Sequence, residues 1–188
     1  MTALWGLNVA VPEFFNTIEQ TALSTWIRES DSIFGFYFIL LLHNFALAAL
    51  VGPSAIIDLR LLGVAPHVPV KSLKPLYTAI ACGIALATVT GVLLLLGYPT
   101  KALTNSLFYV KLLLIGLGVA TVYRLKAKVF DNDSMSEPDM IMAGRGMAKV
   151  SIVLWIAAIT AGRLLAYTYK YLYYGFKGES AIIFHLHF

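Results

Sequence analysis

Four apolar stretches, at about residues 33–57, 75–98, 107–124 and 147–170, each approach or exceed the roughly 20 residues with which a helix crosses a hydrocarbon core. A chain divided in this way works in or at a membrane. Of its 188 residues 59% are hydrophobic and only 13% charged, against about 25% in soluble domains, so no sizeable water-soluble core remains to be built. The polar connections are too short to hold a second catalytic domain. The expectation is one membrane domain over residues 1–188, an all-α, integral membrane four-helix bundle. The single cysteine, Cys82, falls inside the second stretch and reads as a small packing residue. The opening Met1-Thr2-Ala3-Leu4-Trp5-Gly6 has no positive leader before an apolar run, so a cleaved signal peptide is not expected.

Ahead of the spans, residues 12–29 predict an interfacial amphipathic helix. Phe15, Ile18, Ala22 and Trp26 recur at helical spacing, Glu13, Glu19 and Arg28 interrupt them, and Pro12 suits a first turn. A helix packed on a partner protein would show the same pattern. Orientation follows from the cations, because Lys and Arg in short loops stay on the cytoplasmic side. The first and third connections hold Arg60, Lys71, Lys74, Arg124, Lys126, Lys128, Arg145 and Lys149, whereas the N-terminal segment, second connection and tail hold Arg28, Lys101, Lys170 and Lys177. Four spans with both termini outside is the consequence. The net charge of +4 is topology information, with no nucleic-acid partner implied. Residues 126–146, with Asp131, Asp133, Glu137, Pro138 and Asp139, read as a solvated connection.

Small residues recur at every fourth position in the second span (Ala79, Gly83, Ala87, Gly91) and the fourth (Ala158, Gly162, Ala166), with Gly116 and Ala120 in the third. Such grooves let helix backbones approach in lipid, where no hydrophobic force draws helices together. Gly83, Gly91, Gly162 and the bulky Trp155 are therefore expected to be structural. Tyr167, Tyr169, Tyr171, Tyr173 and Tyr174 suit an interfacial aromatic belt. There is no convincing internal repeat of the kind inverted-repeat transporters carry.

Charged and polar groups within spans are costly and mark partners, cavities or pathways. His43, Lys111 and Arg163 fall where all three could face one outer cavity. An imidazole is a haem ligand, and two cations could hold haem propionates, a lipid phosphate or a quinone oxygen. A histidine tied to a neighbouring helix is the simpler alternative for His43. For Lys111 the expectation is a side chain that snorkels to the headgroups, and for Arg163 one that turns inward. Asp58 and Arg60, two apart on one helix, do not face each other, and each should tie the end of the first span to a different neighbour. His185 and His187 could share one face of an extended tail, yet two ligands without a third make no metal site. Phosphate loops, nucleophile elbows, zinc-binding histidine pairs and paired carboxylates within a span are all missing from the sequence.

Asp58-Leu59-Arg60-Leu61-Leu62-Gly63 after a span bearing His43, then Lys111, Trp155 and Gly162-Arg163, resembles a family of small four-span bacterial membrane proteins that is itself distantly similar to the membrane domain of copper-resistance D-type proteins. The resemblance runs from about residue 23 to 167 and implies a four-helix bundle of the bacterial inner membrane, where the outside termini read from the cations would be periplasmic. It also exposes departures. Leu40 stands where the family has an acidic residue three positions before the histidine, and Tyr123-Arg124 where it often has a second histidine. Half of any paired-histidine site would thus be gone. The leading expectation is a non-catalytic accessory or anchoring subunit, with the bilayer and other membrane subunits as partners. The alternative is a haem b or quinone-binding electron-transfer subunit built on His43, Lys111 and Arg163. A metal or small-solute permease has the least support.

Overall fold

The computed structural model describes residues 13–103, 105–132 and 134–176. His185, His187 and Pro12 lie outside the described residues, as do the side chains of Phe15, Tyr169, Tyr171, Tyr173 and Tyr174. Two short helices, α1 (Glu13–Glu19) and α2 (Ala22–Glu29), precede α3 (Phe36–Leu61). A 3₁₀ turn at Val70–Leu73 leads into α4 (Leu76–Gly97), α5 is Pro99–Leu103, α6 is Ser106–Leu125, a π turn covers Lys126–Phe130, and α7 is Glu137–Phe176. The architecture is an all-α bundle of four helices, α3, α4, α6 and α7, each long and apolar enough to cross a membrane. Side chains such as Phe45, Val89, Leu113, Val153 and Ile156 face outward from it, as lipid contact requires.

The helices form a row in which α4 packs on α3, α3 on α7 and α7 on α6, while α4 and α6 make no comparable contact. A seam therefore runs between α4 and α6. The tightest pairing is α3 with α4. A Cβ on Gly83 would stand 2.7 Å from the Leu50 nitrogen and 2.9 Å from the Ala46 oxygen, so only glycine permits that approach. Gly118 seats the Trp155 ring of α7, whose atoms come within 3.2 Å of the position a Cβ would take, and Gly144 seats Leu61. Gly116 instead faces open space. The α6–α7 contact is thus made through Gly118 rather than the Gly116–Ala120 pair that spacing suggested.

Two boundaries differ from the sequence reading. Residues 12–29 are not one continuous helix: Thr21 breaks it, its hydroxyl donating to the Ile18 carbonyl at 2.7 Å and accepting from the Ser24 N–H as the N-cap of α2. The inward side of α2 also differs. Ile27 is buried against Gly97, Ser24 donates to the Leu96 carbonyl, Arg28 donates to the Gly97 carbonyl, and Leu23 and Trp26 remain exposed. Polar anchoring to the end of α4 decides the docking, over the apolar stripe. The last helix starts ten residues earlier than hydropathy indicates, because the Ser136 hydroxyl accepts from the Asp139 N–H while donating to the Asp139 carboxylate, and Pro138 sits in its first turn. At 40 residues and about 1.5 Å per residue it is near 60 Å long, beyond the roughly 40–45 Å of a whole bilayer.

Candidate functional site

One end of the bundle gathers the loops after α3 and α6 and carries most of the cations. Arg60, 5% exposed near the end of α3, organises it. Its guanidinium donates to the Val68 and Pro66 carbonyls and, at 2.5 Å, to Glu137 at the start of α7, and the same carboxylate oxygen accepts from the Val70 N–H. The planar fork suits this divergent set of acceptors. Arg60 thus ties α3 to the following loop and to α7.

Asp58 behaves differently. It is 1% exposed and neither carboxylate oxygen has a hydrogen-bond partner. Ser151 of α7 is the hydroxyl donor nearest to hand for this carboxylate, although neither group meets a partner in full hydrogen-bond geometry. The Tyr77 hydroxyl and the Trp155 indole N–H, in the same core, are unpartnered too. The carboxylate therefore lies within reach of two hydroxyl donors, Ser151 and Tyr77. Asp58 thus faces α7 at Ser151, while Arg60 reaches the loop and Glu137. Sequence reasoning missed Tyr77 and Ser151 altogether, since neither residue type is rare enough in an apolar span to attract attention.

Toward the opposite end, seven residues into α3, His43 packs against α4. Its Nδ1 lies 2.9 Å from Thr90 Oγ1, and its Cε1 would be 3.3 Å from a Cβ on Gly91. Thr90 donates its one proton to the Leu86 carbonyl at 2.6 Å. Its oxygen must then accept from His43, which assigns the hydrogen to Nδ1 and the lone pair to Nε2. The missing side chain of Gly91 makes room for the imidazole rather than for a neighbouring backbone. Thr90 was legible only as the neighbour of that glycine.

Lys111 of α6 is half-buried, with its stem against Gly162 of α7, and lies within electrostatic range of His43. Arg163 is exposed. Arg163, expected to turn inward, lies on the exposed side of α7, and the Lys111 stem packs on α7. Gly162 leaves the space that receives the lysine stem, and the next residue on the helix is turned about 100° away from it. Of the three residues proposed to share an outer cavity, the fold brings His43 and Lys111 together and sends Arg163 outward. No group of three His, Cys, Asp or Glu side chains able to hold a metal ion occurs among the described residues.

Between α4 and α6 at the cation-rich end lies a cleft of 690 Å³ lined by Lys71, Lys74, Tyr77, Thr78, Tyr123 and Lys126, with Pro75 and Ala81 completing it. Asp131 binds Lys126 with both oxygens, at 2.9 and 2.8 Å, and is 3.9 Å from Lys74. The Tyr77 ring packs edge-on against Phe130, centroids 5.3 Å apart, and the Lys126 ammonium stands 6.0 Å from its centroid. The π turn produces this arrangement by directing Val129 and Phe130 into the core while Lys126 faces the cleft. Comparison with protein-family models, curated proteins and solved structures found no match.

Proposed function

We propose that this chain is a non-catalytic accessory or anchoring subunit of a larger bacterial membrane complex, held in the inner membrane with both termini on the periplasmic side. The observation that supports this reading is the use to which the intramembrane polar groups are put. Arg60 is committed to two loop carbonyls and Glu137, His43 to Thr90, and the Lys111 stem to the Gly162 seat. Polar groups committed to interhelical packing make a rigid body, which suits a subunit that presents surfaces. The orientation rests on eight Lys and Arg residues in the first and third connections. The docked α1–α2 pair, with Leu23 and Trp26 outward, offers partner subunits a place to bind.

A second reading is favoured by one observation. Tying Nδ1 to Thr90 leaves the Nε2 lone pair of His43 in the tautomer that haem or metal ligands adopt when their other nitrogen is held by the protein. Here His43 would hold haem b or hydrogen-bond a quinone, and Lys111 would meet an anionic group, while Arg163 points away. Such a group would supply one-electron transfer. Visible spectra of the detergent-purified protein, oxidised and dithionite-reduced, with mass spectrometry of co-purifying bands, separate the two. A colourless preparation with a stoichiometric partner is expected. A Soret band abolished by His43→Ala would overturn the accessory reading.

A further inference from the structure

We infer that the cleft at the cation-rich end of the α4–α6 seam is a binding site for an anionic phospholipid, whose phosphate meets Lys71, Lys74 and Lys126 while an acyl chain lies along the seam. Depth is the first support. The 22 residues of α4 span about 33 Å, close to the roughly 30 Å hydrocarbon core, so Lys74 and Pro75, just before its first turn, fall at headgroup level. Lys126, immediately after α6, reaches the same level from the other wall. The second support is shape. No extensive packing of α4 on α6 closes the seam, and Thr78 and Ala81 of the cleft lie with Ala85 on one exposed strip of small side chains leading down α4 from the lysines. An amphiphile has this layout, with charge at the mouth and an apolar path below it.

The third support is charge. Between residues 57 and 150, the two loops at this end and the helix ends around them hold Arg60, Lys71, Lys74, Arg124, Lys126, Lys128, Arg145 and Lys149 against Asp58, Asp131, Asp133, Glu137 and Asp139, eight cations to five carboxylates. A zwitterionic headgroup would gain little from that excess. Basic residues near a membrane surface each contribute to anionic-lipid binding a factor of about five in affinity, so the three lysines that line the cleft, two of which Asp131 also approaches, together correspond to about a hundredfold. Tyr123 and Tyr77 give the cleft aromatic walls, which suit the glycerol region, where such rings are enriched.

The test uses the full chain in nanodiscs of phosphatidylcholine containing a minor fraction of phosphatidylglycerol, with retained lipid counted by native mass spectrometry after release into detergent. The wild-type chain should retain phosphatidylglycerol selectively. Lys71→Gln, Lys74→Gln and Lys126→Gln combined should weaken that retention about a hundredfold, whereas Lys128→Gln, Arg145→Gln and Lys149→Gln, which remove as much charge at exposed positions outside the cleft, should leave it unchanged. Ala81→Trp, which blocks the path below the lysines without altering charge, should abolish retention and covers the case in which the triple variant does not fold. Equal loss in both triple variants, or no selectivity in the wild type, would overturn the proposal. So would a photo-cross-linking residue at position 81 that captures a polypeptide, a second copy or a partner helix, in place of lipid.

Discussion

Replacing Gly83 by alanine adds one methyl group at the closest approach of α3 and α4. That methyl would stand 2.7 Å from the Leu50 nitrogen, where ordinary contact begins at 3.4 Å, so it is about 0.7 Å too close; the Ala46 oxygen and Ala49 carbonyl carbon, both at 2.9 Å, close the other directions. All three are backbone atoms, so no rotamer change relieves the overlap and the helices must separate. Overpacking of this kind costs about 1–3 kcal/mol, and the upper half of that range applies where only backbone can move. Alanine recovers about 0.5–1 kcal/mol over glycine in a helix interior. The net expectation is a destabilisation of about 1–2.5 kcal/mol, a factor of roughly 5 to 70 in the unfolding equilibrium. Gly116→Ala is the matched control. It is the same chemical change in a spanning helix with nothing within 4 Å, so it should stabilise by about 0.5–1 kcal/mol. Equilibrium unfolding in mild detergent, followed by far-UV circular dichroism, reads both. If Gly83→Ala and Gly116→Ala shift stability in the same direction, close backbone approach is not what holds α3 to α4.

Three further outcomes follow from the polar interior. A double-mutant cycle on His43→Ala and Thr90→Val should give a coupling of about 0.6 kcal/mol and no more than about 1.7, the range of interhelical hydrogen bonds in membranes; zero coupling would mean the 2.9 Å contact does not hold the helices. Arg60→Met should cost about 1–3 kcal/mol and open residues 62–69 to limited proteolysis, while Glu137→Gln, which keeps both loop carbonyls bonded to Arg60, should cost clearly less. Asp58→Asn keeps the shape of a buried side chain whose oxygens are unpartnered and removes its charge, so stability should rise by about 1 kcal/mol; a loss of stability would show that the carboxylate is bonded within the folded bundle.

The small-residue spacing shows how far sequence patterns reach. Every-fourth-residue spacing selected Gly83, which lies against the backbone of α3, and Gly91, which makes room for the His43 ring instead of a backbone. The same rule selected Gly116, which faces outward, and passed over Gly118 and Gly144, which receive Trp155 and Leu61. A spacing rule states which residues share a face and is silent on which face meets a neighbour. The start of α7 was hidden for a different reason. Hydropathy ends a span where charges begin, whereas the helix is extended by a Ser136–Asp139 cap that serves in water as well as in lipid.

The sequence by itself determined the solvent, the all-α class, the number of spanning helices and the end of the bundle at which cations collect. These are properties of length and composition along a single segment, and the bilayer converts them directly into structure. Only the tertiary structure decided that Thr90 is the partner of His43, that Lys111 lies inward and Arg163 outward, that Asp58 sits among unpartnered donors, and that a cleft opens between α4 and α6. Each of those depends on how a helix is rotated about its axis and on which helix stands beside it. Spans that are apolar all round carry little periodic record of either, so the decision rests with packing.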